Sequence, residues 1–360
     1  MNKPHFLALD GLRGIAAIAV MVMHKGRWLY EPGGFIGHAW MAVDFFFLLS
    51  GFVIAAAYEE RLRGGLSVPA FLRIRMIRLY PLILLGMLIG GAWPLMRIAV
   101  GDYLGPDAGP VLATLARGVL LIPAVHPDPT GWGLFPLNGP TWSLFFELAV
   151  NIAYVLIARR LTTPILIGIV AVAALAVAAM PFAAGLDAGA QGATFWWAIP
   201  RTTFGFFAGV LLYRTRGRWA HLVPGAPVWL LSLALVGVFV IPADQPWTPA
   251  FELACVFLVF PALLALGVNA PSTPRTAAFC RLSGGLSYPI YALHYPLLVL
   301  AGGIIARRIQ APWLGLVAYP IVFALCWAAW RLYDEPVRAW LSGLGRARLN
   351  VRSSPPAAAG

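Results

Sequence analysis

Arg13 and His24 stand eleven positions apart in the first apolar stretch, LDGLRGIAAIAVMVMH. On a helix that spacing is about 16 Å along the axis and returns to within about 20° of the same face. A guanidinium at one level can hold an anion while an imidazole at the other moves a proton. The alternative is that Arg13 snorkels to the inner interface and His24 sits at the outer one. Asp44, in MAVDFFFLLSGF, falls at a depth comparable to His24 on the next stretch. A carboxylate meeting the imidazole there would fix its tautomer, as a general base requires. A purely structural hydrogen bond between two helices is the other reading, and the neighbouring Ser50 and Gly51 suit close helix packing.

Three further groups carry chemistry. In FLRIRMIRLYP, Arg75 and Arg78 are three apart and share a helix face. Two such forks can bind phosphate oxygens bidentately, or flank a loop against anionic headgroups. In LNGPTWSLFFELAVN, Ser143 and Glu147 share a face, with Asn138 and Thr141 just above. These could hydrogen-bond the hydroxyls of an acceptor or merely cap the helix, and Trp142 suits a membrane interface. In LSYPIYALHYP, His294 lies among Tyr288, Tyr291 and Tyr295, which could satisfy it inside a bundle. A Ser-His-Asp triad through Ser143 or Ser287 has no nucleophile-elbow signature.

The elements that position these residues are membrane helices. Only 11% of the 360 residues are charged and 60% are hydrophobic, whereas a soluble protein is roughly a quarter charged. The expected fold is an all-α integral membrane bundle of about ten transmembrane helices, near 8–28, 35–57, 79–100, 140–158, 162–181, 194–213, 227–242, 249–268, 285–305 and 312–331. With the N-terminus inside, most of the 26 basic residues fall in inner loops, among them Arg61, Arg63, Arg159, Arg160, Arg214 and Arg218. Arg97, Arg117 and Arg201 fall on the outer side. A full crossing by the short apolar stretch 111–125 would invert that asymmetry, so it is expected to be an outer re-entrant or interfacial element. Both termini are then cytoplasmic. Residues 1–342 form one transmembrane domain, and 343–360 a tail whose composition predicts disorder. The net charge of +12 reflects the loop arginines rather than nucleic-acid binding. Cys255, Cys280 and Cys326 have neither disulfide-framework nor metal-ligand spacing.

Taken in order, LDGLRGIAA with His24 beyond it, VDFFFLLSGF, RxxRLYP, PTWSLFFEL, LSYPIYALHYP and DEPVRAWL resemble the bacterial acyltransferase-3 family, multi-pass membrane O-acyltransferases, from about Leu9 to Leu341. The resemblance implies roles for Arg13 and His24, for Arg75 and Arg78, and for the pattern at Trp142, Ser143, Leu144 and Glu147. It implies transfer to hydroxyls of glycans or other extracytoplasmic or membrane-associated acceptors. The matching mechanism has acyl-CoA, with acetyl the default acyl group, entering from the cytoplasm of a bacterial inner membrane. Arg13, Arg75 and Arg78 would bind this donor. His24, Asp44 and Glu147 would act in catalysis, and Trp142, Ser143 and His294 would bind the acceptor. Membrane lipids are the remaining partner, and no permanently bound cofactor or metal is expected. A transporter or flippase with the same buried charges along a substrate path is the alternative, although no internal repeat is evident.

Overall fold

The structure, a computed structural model, describes residues 6–24, 36–102, 105–126, 128, 133–305, 309 and 312–343. Every regular element among them is helical: α1 (Leu7–Met23), α2 (Ala42–Arg63), α3 (Val68–Ala99), α4 (Ala108–Val119), α5 (Thr141–Ile157), α6 (Thr163–Ala183), α7 (Ala198–Trp219), α8 (Val228–Val240), α9 (Thr248–Ala254), α10 (Phe260–Val268), α11 (Pro274–Ile305) and α12 (Trp313–Ala329). One π-turn, Cys255–Val259, joins α9 to α10, and another, Trp330–Asp334, carries α12 on to Gly343. Helices lie on each of the ten expected segments. Among the described residues, six helical runs are long and apolar enough to cross a membrane: Ala39–Arg63, Val68–Ala99, Thr163–Ala183, Thr248–Val268, Pro274–Ile305 and Trp313–Gly343. Apolar side chains also cover the outside, as Phe182, Leu175 and Val172 of α6 do. A surface of that kind belongs in lipid.

Two helices begin about eleven residues before the hydropathic segment does. In α3, Ser67 accepts a hydrogen bond from the Ala70 amide at the N-terminus, with proline in the first turn. Arginine is a good helix former, so Arg75 and Arg78 ride on α3 itself, not on the expected loop. Likewise α11 starts at Pro274 and carries Arg281 as part of the helix. Helix α4 has 12 residues, about 18 Å of length against a hydrocarbon core of about 30 Å. It packs against α3. The expected tail 343–360 lies, apart from Gly343, outside the described residues.

Packing partners are distant in sequence. The most extensive helix contacts are α1 with α11 and α2 with α7, both far exceeding α1 with α2. Small residues permit the close approach, as is usual between membrane helices. A Cβ on Gly14 of α1 would stand 2.0 Å from Ser283 Oγ of α11, and one on Gly51 of α2 would stand 1.8 Å from the carbonyl oxygen of Phe206 in α7. Backbone cannot step aside as a side-chain tip can. Gly51→Val is therefore expected to cost at least the ~1–3 kcal/mol typical of overpacking. The monodisperse peak in detergent size-exclusion chromatography should collapse, whereas Gly168→Val, with open space around its Cβ position, should leave it unchanged.

Candidate active site

A cavity of about 580 Å³ lies between α1, α2, α3, α5 and α11. Phe6, Asp10, Ala57 and Arg281 line one end, which is the end of the bundle bearing Arg61, Arg63 and Arg214. Ser143 and Tyr291 line it further in. Four guanidinium groups, from Arg13, Arg75, Arg78 and Arg281, face two carboxylates, Asp10 and Glu147, so the cavity favours an anion. Phe46, Phe47, Leu49 and Leu144 give the remaining walls an apolar character.

The four arginines are not equivalent. Arg13 donates through Nε to Ser287 Oγ at 2.8 Å and through a terminal nitrogen to the Gly284 carbonyl at 2.9 Å, with Asp10 Oδ1 at 3.1 Å one turn away. Arg75 is held by Glu147 Oε1 at 2.8 Å, and Ser50 Oγ donates to the same oxygen at 3.0 Å. Arg78 and Arg281 make no hydrogen bond or ion pair with any described residue, so their forks remain open to the cavity. Glu147 thus sits beside Arg75 rather than apart from the arginines.

Further in, Ser143 Oγ and Tyr291 Oη are 2.5 Å apart, and Ser143 also donates to the Pro140 carbonyl. Pro296 cannot bond back to Ala292, and Asn138 Nδ2 occupies that freed carbonyl at 2.9 Å. Thr141 Oγ1 is buried without a partner. Tyr291 packs edge-on against Phe46 with ring centroids 5.3 Å apart, and its ring centroid lies 6.2 Å from that of His294. His24 caps the C-terminus of α1, so the Arg13–His24 helix is unbroken. Its Nδ1 lies 2.8 Å from the Val20 carbonyl and 3.2 Å from His294 Nε2, and Tyr295 packs edge-on against it. His294 is wholly buried and takes the carbonyls of Ile290 and Tyr291, not the tyrosine hydroxyls that the sequence offered.

Asp44 and Trp142 belong to a different cluster. Both Asp44 oxygens accept from Arg201, at 3.1 and 2.7 Å, and a third Arg201 nitrogen donates to the Ala188 carbonyl at 2.6 Å. Trp40 and Trp142 lie over that guanidinium at 5.3 and 5.6 Å. The expected meeting of Asp44 with His24 is replaced by this buried bidentate pair, because α2 packs on α7 far more than on α1. Arg201, expected on the outer side, is 2% exposed inside α7. Trp142 is buried over it instead of standing at an interface. An intramembrane arginine in WWAIPRTTFGFF was the available signal for Arg201. For Arg281 it was the i, i+3 spacing to Gly284 and the seven-residue step to Tyr288. Among the described residues no group of His, Cys, Asp or Glu could hold a metal ion, and the three cysteines are unpaired and buried.

Residues 6–331 match the family model described as an acyltransferase domain. Over 318 residues, 80% of this chain and 78% of the relative, the sequence is 30% identical to "Acyltransferase MdmB" of Streptomyces mycarofaciens. It is 37% identical over 188 residues to "Protein 2 in picA locus" of Rhizobium radiobacter, spanning 49% of this chain and 96% of that one. No solved structure matches the chain.

Proposed function

The chain belongs to the acyltransferase-3 family and is a membrane acyltransferase, and from that premise we propose that it moves an acetyl group from cytoplasmic acetyl-CoA to a hydroxyl of a glycan or other extracytoplasmic or membrane-associated acceptor. The observation that carries this reading is the arginine-lined cavity, which offers open guanidinium forks at one end and apolar walls beyond them. Ten membrane crossings, a bacterial inner membrane and cytoplasmic termini complete the proposal, with the arginine-rich end of the bundle inside.

The residues divide the work as follows. Arg78 and Arg281 take the phosphates of the donor, since their forks are not engaged by other groups. Arg75, oriented by Glu147 and Ser50, and Arg13, fixed by Ser287 and Asp10, line the path of the pantetheine arm. The arm carries the thioester towards Ser143 and Tyr291. Rotation of the Phe46 and Tyr291 rings opens the way to His24, about 16 Å along α1 from Arg13. His24 accepts the acceptor's hydroxyl proton as the oxygen attacks the thioester carbonyl. The C–O bond forms, the C–S bond breaks, and the leaving thiolate takes the proton from the imidazolium.

Comparison of acetyl-CoA with S-acetylpantetheine, which lacks the nucleotide phosphates, tests the donor assignment. A charge-assisted hydrogen bond contributes ~1.5–3 kcal/mol, so Arg78→Gln or Arg281→Gln should raise KM for acetyl-CoA roughly ten- to a hundredfold. KM for S-acetylpantetheine should be unchanged. Equal effects on both donors, or none on either, would count against phosphate binding at these arginines.

A further inference from the structure

We propose that His294 is the positioning residue of His24: it holds the imidazole in the tautomer and orientation that base catalysis needs, the place the sequence offered to Asp44. The inference rests on the reading of His24 as the base.

The tautomers follow from the hydrogen-bond partners. Carbonyl oxygens only accept, and His294 Nδ1 lies 2.8 Å from the oxygen of Ile290 and 3.0 Å from that of Tyr291. That nitrogen therefore carries the hydrogen. In the neutral ring the lone pair is then on Nε2, which lies 3.2 Å from His24 Nδ1. His24 Nδ1 in turn lies 2.8 Å from the Val20 carbonyl, so it too must be the donor. It divides its hydrogen between that carbonyl and the lone pair of His294. The neutral His24 ring is left with its lone pair on Nε2, the nitrogen that takes the acceptor's proton.

Two features suit this arrangement to a charge that appears and disappears. Val20 is within the last turn of α1, at the negative end of the helix dipole, and its carbonyl accepts from the His24 backbone N–H as well as from the ring. Positive charge developing on His24 therefore meets two acceptors on one ring edge, the Val20 carbonyl and His294 Nε2. His294 is 0% exposed on a helix that itself holds Arg13, so its ring is anchored by the same element that fixes the base of α1. A histidine buried only to fill space would be satisfied by its backbone carbonyls. The second nitrogen, aimed at His24, is what a filler does not need.

Asparagine and glutamine variants separate the roles. His294→Asn keeps a donor near the carbonyls but does not reach His24, whereas His294→Gln places a carboxamide oxygen where Nε2 was. Transfer from [14C]acetyl-CoA is measured in membrane vesicles that contain the protein and their endogenous acceptors. Small misplacements of catalytic groups can cost on the order of 10²-fold, so kcat should fall about 10- to 100-fold in the Asn variant and within about fivefold in the Gln variant. KM for acetyl-CoA should stay within about twofold. In a His24→Ala background the Asn and Gln variants should be equal, because a residue acting through His24 has nothing left to position. Equal kcat for Asn and Gln with His24 present overturns the proposal, as does a His294→Asn effect that persists undiminished without His24. Full activity of His24→Ala alone removes the base reading instead, which a wild-type-like His294→Asn in an otherwise His24-dependent enzyme does not.

Discussion

Replacing His24 by alanine is expected to lower acetyl transfer by about 10²–10⁴-fold, the usual contribution of a positioned general base. Binding should survive, because His24 is outside the cavity that contains the four arginines. The KM for acetyl-CoA is therefore expected to change little while kcat collapses. The fold should survive as well. His24 sits half-exposed at the end of α1, and its removal takes a donor from His294 Nε2, a penalty of about 1–3 kcal/mol. Labelled product in vesicles reports the chemistry, and detergent size-exclusion chromatography reports the fold. Wild-type turnover by a well-folded His24→Ala protein would rule out base catalysis by this residue.

Asp44→Ala should produce the largest loss of stability among single substitutions of the charged residues. Arg201 is 2% exposed and Asp44 6%, and removing one partner strands the other charge in a dry interior at a cost of about 3–5 kcal/mol. A membrane places little water within reach to soften that cost. Activity will be lost with the fold, which in a screen of total activity looks like a catalytic effect. The double substitution Asp44→Leu with Arg201→Met removes both charges and often restores stability in such cases. Thermal unfolding in detergent should rank wild type and double variant well above Asp44→Ala. Activity per folded molecule of the double variant should approach wild type. A well-folded double variant with no turnover would return Asp44 to the chemistry.

The contrast between these two residues marks where sequence stopped being informative. Helix faces are local, so the shared face of Arg13 and His24, the pairing of Arg75 with Arg78 along α3, and the alignment of Ser143 with Glu147 could be read from spacing. The position of each apolar helix could be read in the same way. Which helix touches which is not local. Chain order makes His24 and Asp44 natural partners because their helices follow one another, yet α1 lies along α11 and α2 along α7. That exchange sends Asp44 to Arg201, 157 positions on, and His24 to His294, 270 positions on. Glu147 meets Arg75 for the same reason. The glycines that permit these contacts were present in the sequence, but a glycine does not say which backbone will approach it. Helix starts were misjudged for a simpler cause. A hydropathic window ends at the first charges, whereas Ser67 and the arginines continue α3 well past them.

The bond from Arg13 to the carbonyl of Gly284 joins positions 271 residues apart, and that separation bears on how the protein is made. The chain enters the bilayer N-terminus first, so α1 arrives carrying a guanidinium that costs about 2.5–3.5 kcal/mol at mid-depth on insertion scales. Asp10 arrives with it on the same helix, but its partners Gly284 and Ser287 are still unsynthesised. Until α11 is delivered, the first helix must wait at the membrane edge, with Arg13 drawn to the headgroups or to water. Docking of α11 then gives Arg13 its ligands and closes the arginine-lined cavity. The same docking brings His294 up to His24. On the proposed assignment of donor site and base, assembly and activation are thus one event, complete only when α11 has been inserted.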